Sequence, residues 1–254
     1  MDRNAIERKL LRDPIAQLIR SVMAGMFISI GAAFMLTCKH DGMGVFACGI
    51  AFSLGLWLVT TCNGELFTGN CLLLPYMGNG LRVTKVMCDG TKEEIGEFST
   101  TYLVLKNLVI SLIGNVIGAL FMVFIIRDTN IVDVAQAVAS TKIAARPAEV
   151  FCKAFLCNIC VCLSVYVSFG AKNALEKLAA CILPIACFVA CGWEHSIADM
   201  FILPLGRVEP SIAVPFIFEV AAANTIGGWL TAELLCMSES TTDIVDMSDG
   251  EENE

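Results

Sequence analysis

Of the two histidines in this 254-residue chain, His195 is the one placed for chemistry. It sits in Cys191-Gly192-Trp193-Glu194-His195-Ser196-Ile197-Ala198-Asp199, a polar interruption between two apolar runs. An ionisable ring carried to mid-membrane depth marks an ion or proton path. A second stretch, Cys62-Asn63-Gly64-Glu65-Leu66-Phe67-Thr68-Gly69-Asn70, matches the first at a constant offset of 129. Cys meets Cys, Glu65 meets Glu194, Asn70 meets Asp199, and Leu74-Pro75 downstream meets Leu203-Pro204. Irregular polar backbone inside a bilayer is tolerated where it lines a cavity or is buried in protein. Paired interruptions at matching positions of two halves point to a transport site.

Each candidate side chain implies its own chemistry. His195 can exchange a proton, and Thr68 offers the first stretch's hydroxyl to a passing solute. Glu65 and Glu194 precede broken helix ends, where a carboxylate accepts backbone N–H groups, so they read as loop-structural caps together with Asn70 and Asp199. Asn158, inside an apolar run, needs a polar partner and is expected to face the bundle interior. Lys142, by spacing alone, reads as a solvated external lysine. His40, between Lys39 and Asp41 in a short turn, reads as solvated.

The elements that position these residues follow from hydropathy. The chain is 56% hydrophobic, above the 45–50% or so of soluble domains, and its mean hydropathy is +0.72. Six spans of about 20 residues fit and leave no room for a sizeable soluble domain. Residues 1–14 form an amphipathic segment lying on the membrane surface, with Ile6, Leu10 and Leu11 at helical spacing. Asp13-Pro14 then caps span one, expected over about 15–37. Span two, from about 44, breaks after 61 at the first polar stretch. A polar segment from 78 to 99 is expected to hold an amphipathic helix. Spans three and four, about 102–126 and 148–169, flank a linker at 127–147. Span five, from about 175, breaks at the second polar stretch, and span six covers about 212–236. Asn115-x-x-Gly118 and Asn224-x-x-Gly227 correspond across spans three and six, where small residues let helices approach closely.

Three spans before the linker and three after it force the halves to run in opposite senses. The fold class is therefore an all-α membrane protein of two inverted three-helix repeats, with helices 2 and 5 broken. Eleven basic residues fall on the N-terminal side of the membrane and five on the other, which places both termini in the cytoplasm, most simply across a plasma membrane.

The net charge of −8 misleads, because residues 238–254 carry seven acids and no Lys or Arg. Domains are thus expected as one transmembrane unit over 1–237 and an acidic, disordered tail over 238–254. Ser238, Ser240, Thr241, Thr242 and Ser248 are candidate phosphorylation sites there. The first apolar run is too long for a signal peptide and lacks a small-residue cleavage site. Most of the 13 cysteines lie in apolar runs and read as small hydrophobes. Only Cys38 and Cys48 flank a turn where they could pair. Cys157-x-x-Cys160 has no nearby histidine, and neither a metal site nor a cofactor is expected.

Gly64-Glu-Leu-Phe-Thr-Gly-Asn70, Gly192-Trp-Glu-His-Ser-Ile-Ala-Asp-Met-Phe201 and Phe155-Leu-Cys-Asn158-Ile-Cys-Val-Cys-Leu163 resemble three signatures of the formate/nitrite transporter family. The spacings from Lys142 to Asn158 and from Asn158 to His195 fit the family pattern. The resemblance implies an aquaporin-like fold, a homopentamer with one pore per protomer, and small monovalent anions of weak acids as substrates. Formate is expected first, then nitrite, hydrosulfide, acetate or lactate. It implies that His195 is the central pore histidine, Thr68 the loop threonine, Lys142 a vestibule lysine and Asn158 its accompanying asparagine. It also implies apolar constrictions at Leu66, Phe67 and Val161 on the external side and at Phe52, Leu56 and Phe188 on the cytoplasmic side. Asp199 departs from the asparagine usual in the family.

A bare carboxylate in an apolar slit costs tens of kcal/mol by Born solvation. Protonating an acid of pKa near 4 at neutral pH costs only about 4 kcal/mol. The expected mechanism is therefore capture of the anion in a vestibule and passage as the neutral acid, with the proton from solvent or the His195 network. The competing readings are an uncharged-solute channel of the water and glycerol kind, which lacks its usual Asn-Pro-Ala loops here, and an integral membrane enzyme, for which no nucleophile motif or ligand set is present.

Overall fold

Asp13 and Pro14 open the first long helix by the chemistry expected of them. In the computed structural model, which describes residues 3–78, 83–87, 90–95 and 97–251, the Asp13 carboxylate accepts the Ile15 and Ala16 N–H groups at 3.0 Å. Pro14 takes the first helical position, where no N–H is needed. Helix α1 (Arg3–Leu10) precedes this cap, and α2 (Pro14–His40) and α3 (Val45–Thr61) follow it. Then come α4 (Phe67–Asn70), a 3-10 turn (Cys71–Tyr76) and α5 (Glu97–Ile126). The second half runs α6 (Val132–Ile143), α7 (Pro147–Gly170), α8 (Ala174–Ala190), α9 (Ser196–Leu205) and α10 (Pro210–Glu251).

Among the described residues four helices are long and apolar enough to cross a membrane: α2, residues 99–126 of α5, α7, and residues 210–239 of α10. The shorter apolar helices α3 and α9 lie among them. In the first half α2 packs on α3 and α5, and in the second α7 packs on α8 and α10. Contact between α3 and α8 joins the halves. Both α3 and α8 stop at matching positions. Asn63 (φ 53°) follows the end of α3 and Gly192 (φ 67°) the end of α8. These residue types tolerate the left-handed conformation that turns a chain out of a helix.

Close packing of α5 on α2 and of α10 on α7 uses the paired glycines. A Cβ on Gly118 would collide with the Val22 carbonyl, and one on Gly227 with the Phe155 carbonyl. The outer faces of α5 and α10 are apolar and exposed, with Tyr102, Val109, Phe121 and Phe124 on one and Phe218, Trp229 and Leu234 on the other. Such faces suit lipid or a neighbouring protomer.

Several expectations need correction. Helix α1 does not lie free on a surface: Ile6 and Leu10 are 1% and 0% exposed and join the core, because the basic side chains beside them find buried partners in the protein. The segment from 78 to 99 holds a two-stranded antiparallel hairpin, β1 (Val83–Val86) with β2 (Lys92–Ile95), and Val83 opposite Ile95. Three of the four residues of β1, Val83, Thr84 and Val86, are β-branched, which suits a strand rather than a helix. Residues 79–82, 88–89 and 96 lie outside the described residues. The 127–147 linker contains α6, whose Val132, Ala135 and Ala139 are buried. Cys38 and Cys48 are both free, and every cysteine among the described residues is free. The backbone of α10 continues to Glu251, past the position where the acidic tail was expected to begin. The tail's Ser240, Thr241, Thr242 and Ser248 side chains lie outside the described residues.

Candidate functional site

Each polar stretch is pinned by an asparagine from the helix that closes its half. Asn115 of α5 accepts the Phe67 N–H at 2.9 Å and donates to the Ser21 and Glu65 carbonyls at 2.8 and 2.9 Å. Asn224 of α10 accepts the Ser196 N–H at 2.9 Å and donates to the Ala154 and Glu194 carbonyls at 2.7 and 3.0 Å. The two side chains do the same work at equivalent positions. Both are fully buried and satisfy backbone groups that would otherwise be orphaned in the membrane. Sequence reasoning took this pair only as part of a small-residue packing motif. The signal was present, since an amide is the side chain that can both donate and accept.

The two glutamates do not cap helices. Leu66 and His195 occupy the cap positions of α4 and α9. Glu65, 0% exposed, is held by Lys9 at 2.9 Å and by Arg12. Asn70 donates to Glu65 at 2.7 Å and accepts from Lys9 at 2.9 Å, while Asn107 and Ser111 accept from its amide. In the second half Glu194, 3% exposed, is held by Lys142, which also lies 3.0 Å from Asp199. Lys142 is therefore not a solvated lysine; α6 carries it into the protein. Lys9 is its counterpart, and sequence reasoning missed it. Each lysine stands on a short helix five residues before the proline that opens a long helix, Pro14 or Pro147.

Between these clusters, Thr68 Oγ1 and His195 Nε2 meet at 2.9 Å. His195 Nδ1 accepts the Ala198 N–H at 3.2 Å as the cap of α9. That bond requires a bare Nδ1, so the partners assign the neutral tautomer protonated on Nε2, donating to Thr68. The Thr68 hydroxyl proton is then free to serve another acceptor. Asn158 donates to the carbonyls of Thr68 and Asn224 at 3.2 and 2.7 Å. Two carbonyl partners fix its amide orientation, and Asn158 Oδ1 is left buried with no hydrogen-bond partner among the described residues. Asn158 thus ties the Thr68 backbone to α10 beside the Thr68–His195 contact.

Two cavities of about 330 Å³ each approach this point. One is lined by Arg8, Lys9, Arg12, Arg20 and Lys177 and reaches Leu66 and Gly69, on either side of Thr68. The other is lined by Lys39, Lys142, Lys153 and Trp193 and reaches His195. Phe52 and Phe188 line this second cavity, with ring centroids 5.6 Å apart, and Phe188 stacks on His195 at 5.9 Å. Leu66 lines the cavity of α1, whereas Phe52 and Phe188 line that of Lys142. Phe67, Val161 and Leu56 are buried and line neither cavity.

Apolar helices long enough to span a membrane, around two lysine-lined cavities that approach a buried Thr–His pair, are the arrangement of an integral membrane transport protein. Residues 3–238 match the formate/nitrite transporter family profile, and the chain belongs to that family. It is 31% identical over 221 residues to the formate channel FocA of Escherichia coli (strain K12), covering 82% of this chain and 72% of that protein. To a probable formate transporter of Methanothermobacter thermautotrophicus it is 30% identical over 245 residues, covering 83% and 84%. Its fold matches a pentameric formate channel solved with formate bound, at TM-score 0.69 and 24% identity, over 91% of this chain and 98% of that one.

Proposed function

We propose that this chain conducts formate, and small monovalent weak-acid anions such as nitrite, hydrosulfide, acetate or lactate, as the neutral acid or together with a proton. The carrying observation is the Thr68–His195 contact between two basic cavities, with Asn158 bonded to the Thr68 backbone carbonyl. Lys142, Lys39 and Lys153 and the N-terminal end of α9 make one vestibule favourable to an anion. At the apolar rings of Phe52 and Phe188 water is lost, and neutralisation becomes far cheaper than carrying the charge. Because His195 Nδ1 is already engaged, the acid takes its proton from vestibule water. Thr68 then donates to its carbonyl oxygen.

The surrounding architecture fits six spans in two inverted three-helix repeats, with α3 and α4 the pieces of one broken helix and α8 and α9 those of the other. We assign residues 1–237 to the channel unit, 238–254 to an appended tail, and the assembly to a homopentamer in the plasma membrane with both termini cytoplasmic. The pentamer draws on the relative solved as one and on the apolar outer faces of α5 and α10.

Formate uptake into liposomes holding the purified protein tests the proposal, with a counterflow panel of the other anions ranking the substrates. His195→Phe is expected to lower uptake and change its pH dependence. Undiminished uptake with the same pH profile removes His195 from the mechanism. Lys142→Ala is expected to raise the half-saturating formate concentration, and an unchanged concentration dependence counts against the vestibule.

A further inference from the structure

The two clusters share a lysine and a glutamate, but their third members differ by one charge. In the first, neutral Asn70 completes the set, and Lys9 and Arg12 face the single carboxylate of Glu65. In the second, Asp199 takes that place, so two carboxyl groups, 0% and 3% exposed, face one ammonium. The Asp199 and Glu194 carboxyls also abut each other. As carboxylates both are acceptors only, and apart from the ion pair of Asp199 Oδ1 with Lys142 at 3.0 Å neither Asp199 oxygen receives a well-aligned hydrogen bond among the described residues. A single proton between the two groups removes the repulsion, supplies the missing donor and leaves the cluster neutral. Paired carboxyls in one site behave this way.

Among the described residues the surroundings offer no alternative compensation. Lys142 of α6 and Glu194 are the charged groups acting on Asp199. Cys157 of α7 adds a buried thiol beside the cluster. His195, at the head of the same helix, is neutral in the assigned tautomer. From α10 comes neutral Asn224, and α4 carries no charged residue. On α5, Lys106 reaches Leu10 at the far end. Lys39 of α2 and Lys153 of α7 stand on the wall of the cavity.

We propose that Asp199 and Glu194 share one proton over Lys142, and that this proton switches the vestibule between an anion-admitting and an anion-repelling state. With the proton held, the cluster is neutral and the lysines on the cavity wall attract the anion. With the proton released to cavity water, the cluster carries one negative charge beside the path and opposes the same anion. The site thus restricts transport to conditions in which protons are available on the Lys142 side. This inference rests on the transport reading above, and its experiment separates the two.

Infrared difference spectra of the wild-type oligomer across a pH titration read the proton directly, without transport. The expected result is a protonated-carboxyl carbonyl band that disappears as pH rises, is absent in Asp199→Asn and persists, shifted, in Asp199→Glu. No such band in the wild type, or the same band in Asp199→Asn, overturns the shared proton. Formate uptake is then measured against pH on the Lys142 side at a fixed proton gradient. The ratio of flux at low pH to flux at high pH is expected to shrink about threefold to tenfold in Asp199→Asn, the size of effect of one partly screened charge near the path. Superimposable profiles overturn the switch. If Asp199→Asn fails to assemble, the wild-type and Asp199→Glu titrations decide the matter through the band and its effect on flux. Absence of uptake of any anion in wild type, with the band present, defeats the transport reading and leaves the proton site standing.

Discussion

The loop-helix of the first half and that of the second are built on one plan and differ in what they do with it. Asn115 and Asn224 pin the two loops with the same three hydrogen bonds each, and Lys9 and Lys142 each hold a buried glutamate. Chemistry then parts them. The first copy surrounds its glutamate with an excess of cations and contributes a hydroxyl, Thr68. The second caps its half-helix with His195 and places two carboxyls on one lysine. Backbone satisfaction is a requirement both halves share inside a membrane, so the asparagines are duplicated. On the proposed path a proton is handled once, which leaves one copy free to specialise.

The largest effect tests the shared plan. Asn115→Ala and Asn224→Ala each strand three buried backbone groups, at about 1–3 kcal/mol per group. Both are expected to abolish stable oligomer, seen as lost material in size-exclusion chromatography and a large fall in thermal stability. Strong loss in only one half would break the equivalence. Next comes the ion-pair difference. Glu65→Gln leaves Lys9 and Arg12 without a carboxylate, whereas Glu194→Gln leaves Lys142 with Asp199. Thermal unfolding is expected to show a loss of about 2 kcal/mol for the first, reduced from the full buried-pair value because both cations are partly exposed. The second is expected to cost markedly less. Equal losses would mean that Asp199 does not compensate.

Smaller still is the stability cost of Thr68→Val, about 1 kcal/mol, alongside a fall in formate flux of about tenfold from one lost hydrogen bond of roughly 1.4 kcal/mol. Thr68→Ser is expected to restore most of that flux, and failure to do so would assign Thr68 a packing role. The smallest effect belongs to truncation after Met237. Uptake is expected to be unchanged, with a stability loss near 1 kcal/mol from the Tyr166–Glu239 hydrogen bond. A changed flux would make the tail regulatory.

What could be read before the structure was known follows from how local the physics is. Long apolar runs and the Asp13-Pro14 cap encode the spans, and the long helices begin within a few residues of their expected starts, while α10 runs on to Glu251. The constant offset between the polar stretches encodes the repeat. Residues that act through distant partners were harder to read. Lys9 and Lys142 look like surface cations until α1 and α6 are folded inward, and only their equal distance from a proline hints at a common role. Asn115 and Asn224 were visible as a pair, but the three backbone groups each serves lie far away in sequence. Asn158 Oδ1 was beyond reach, since an orphaned acceptor exists only once its amide has been oriented by Thr68 and Asn224.

The central claim is that charge does not cross the Thr68–His195 contact and that the acid crosses neutral. The direct measurement is formate uptake into proteoliposomes at fixed pH gradient while the membrane potential is varied, with internal pH followed in parallel. The account predicts uptake independent of potential, with one proton delivered inside for each formate. Uptake that rises and falls with the imposed potential, without internal acidification, would contradict it.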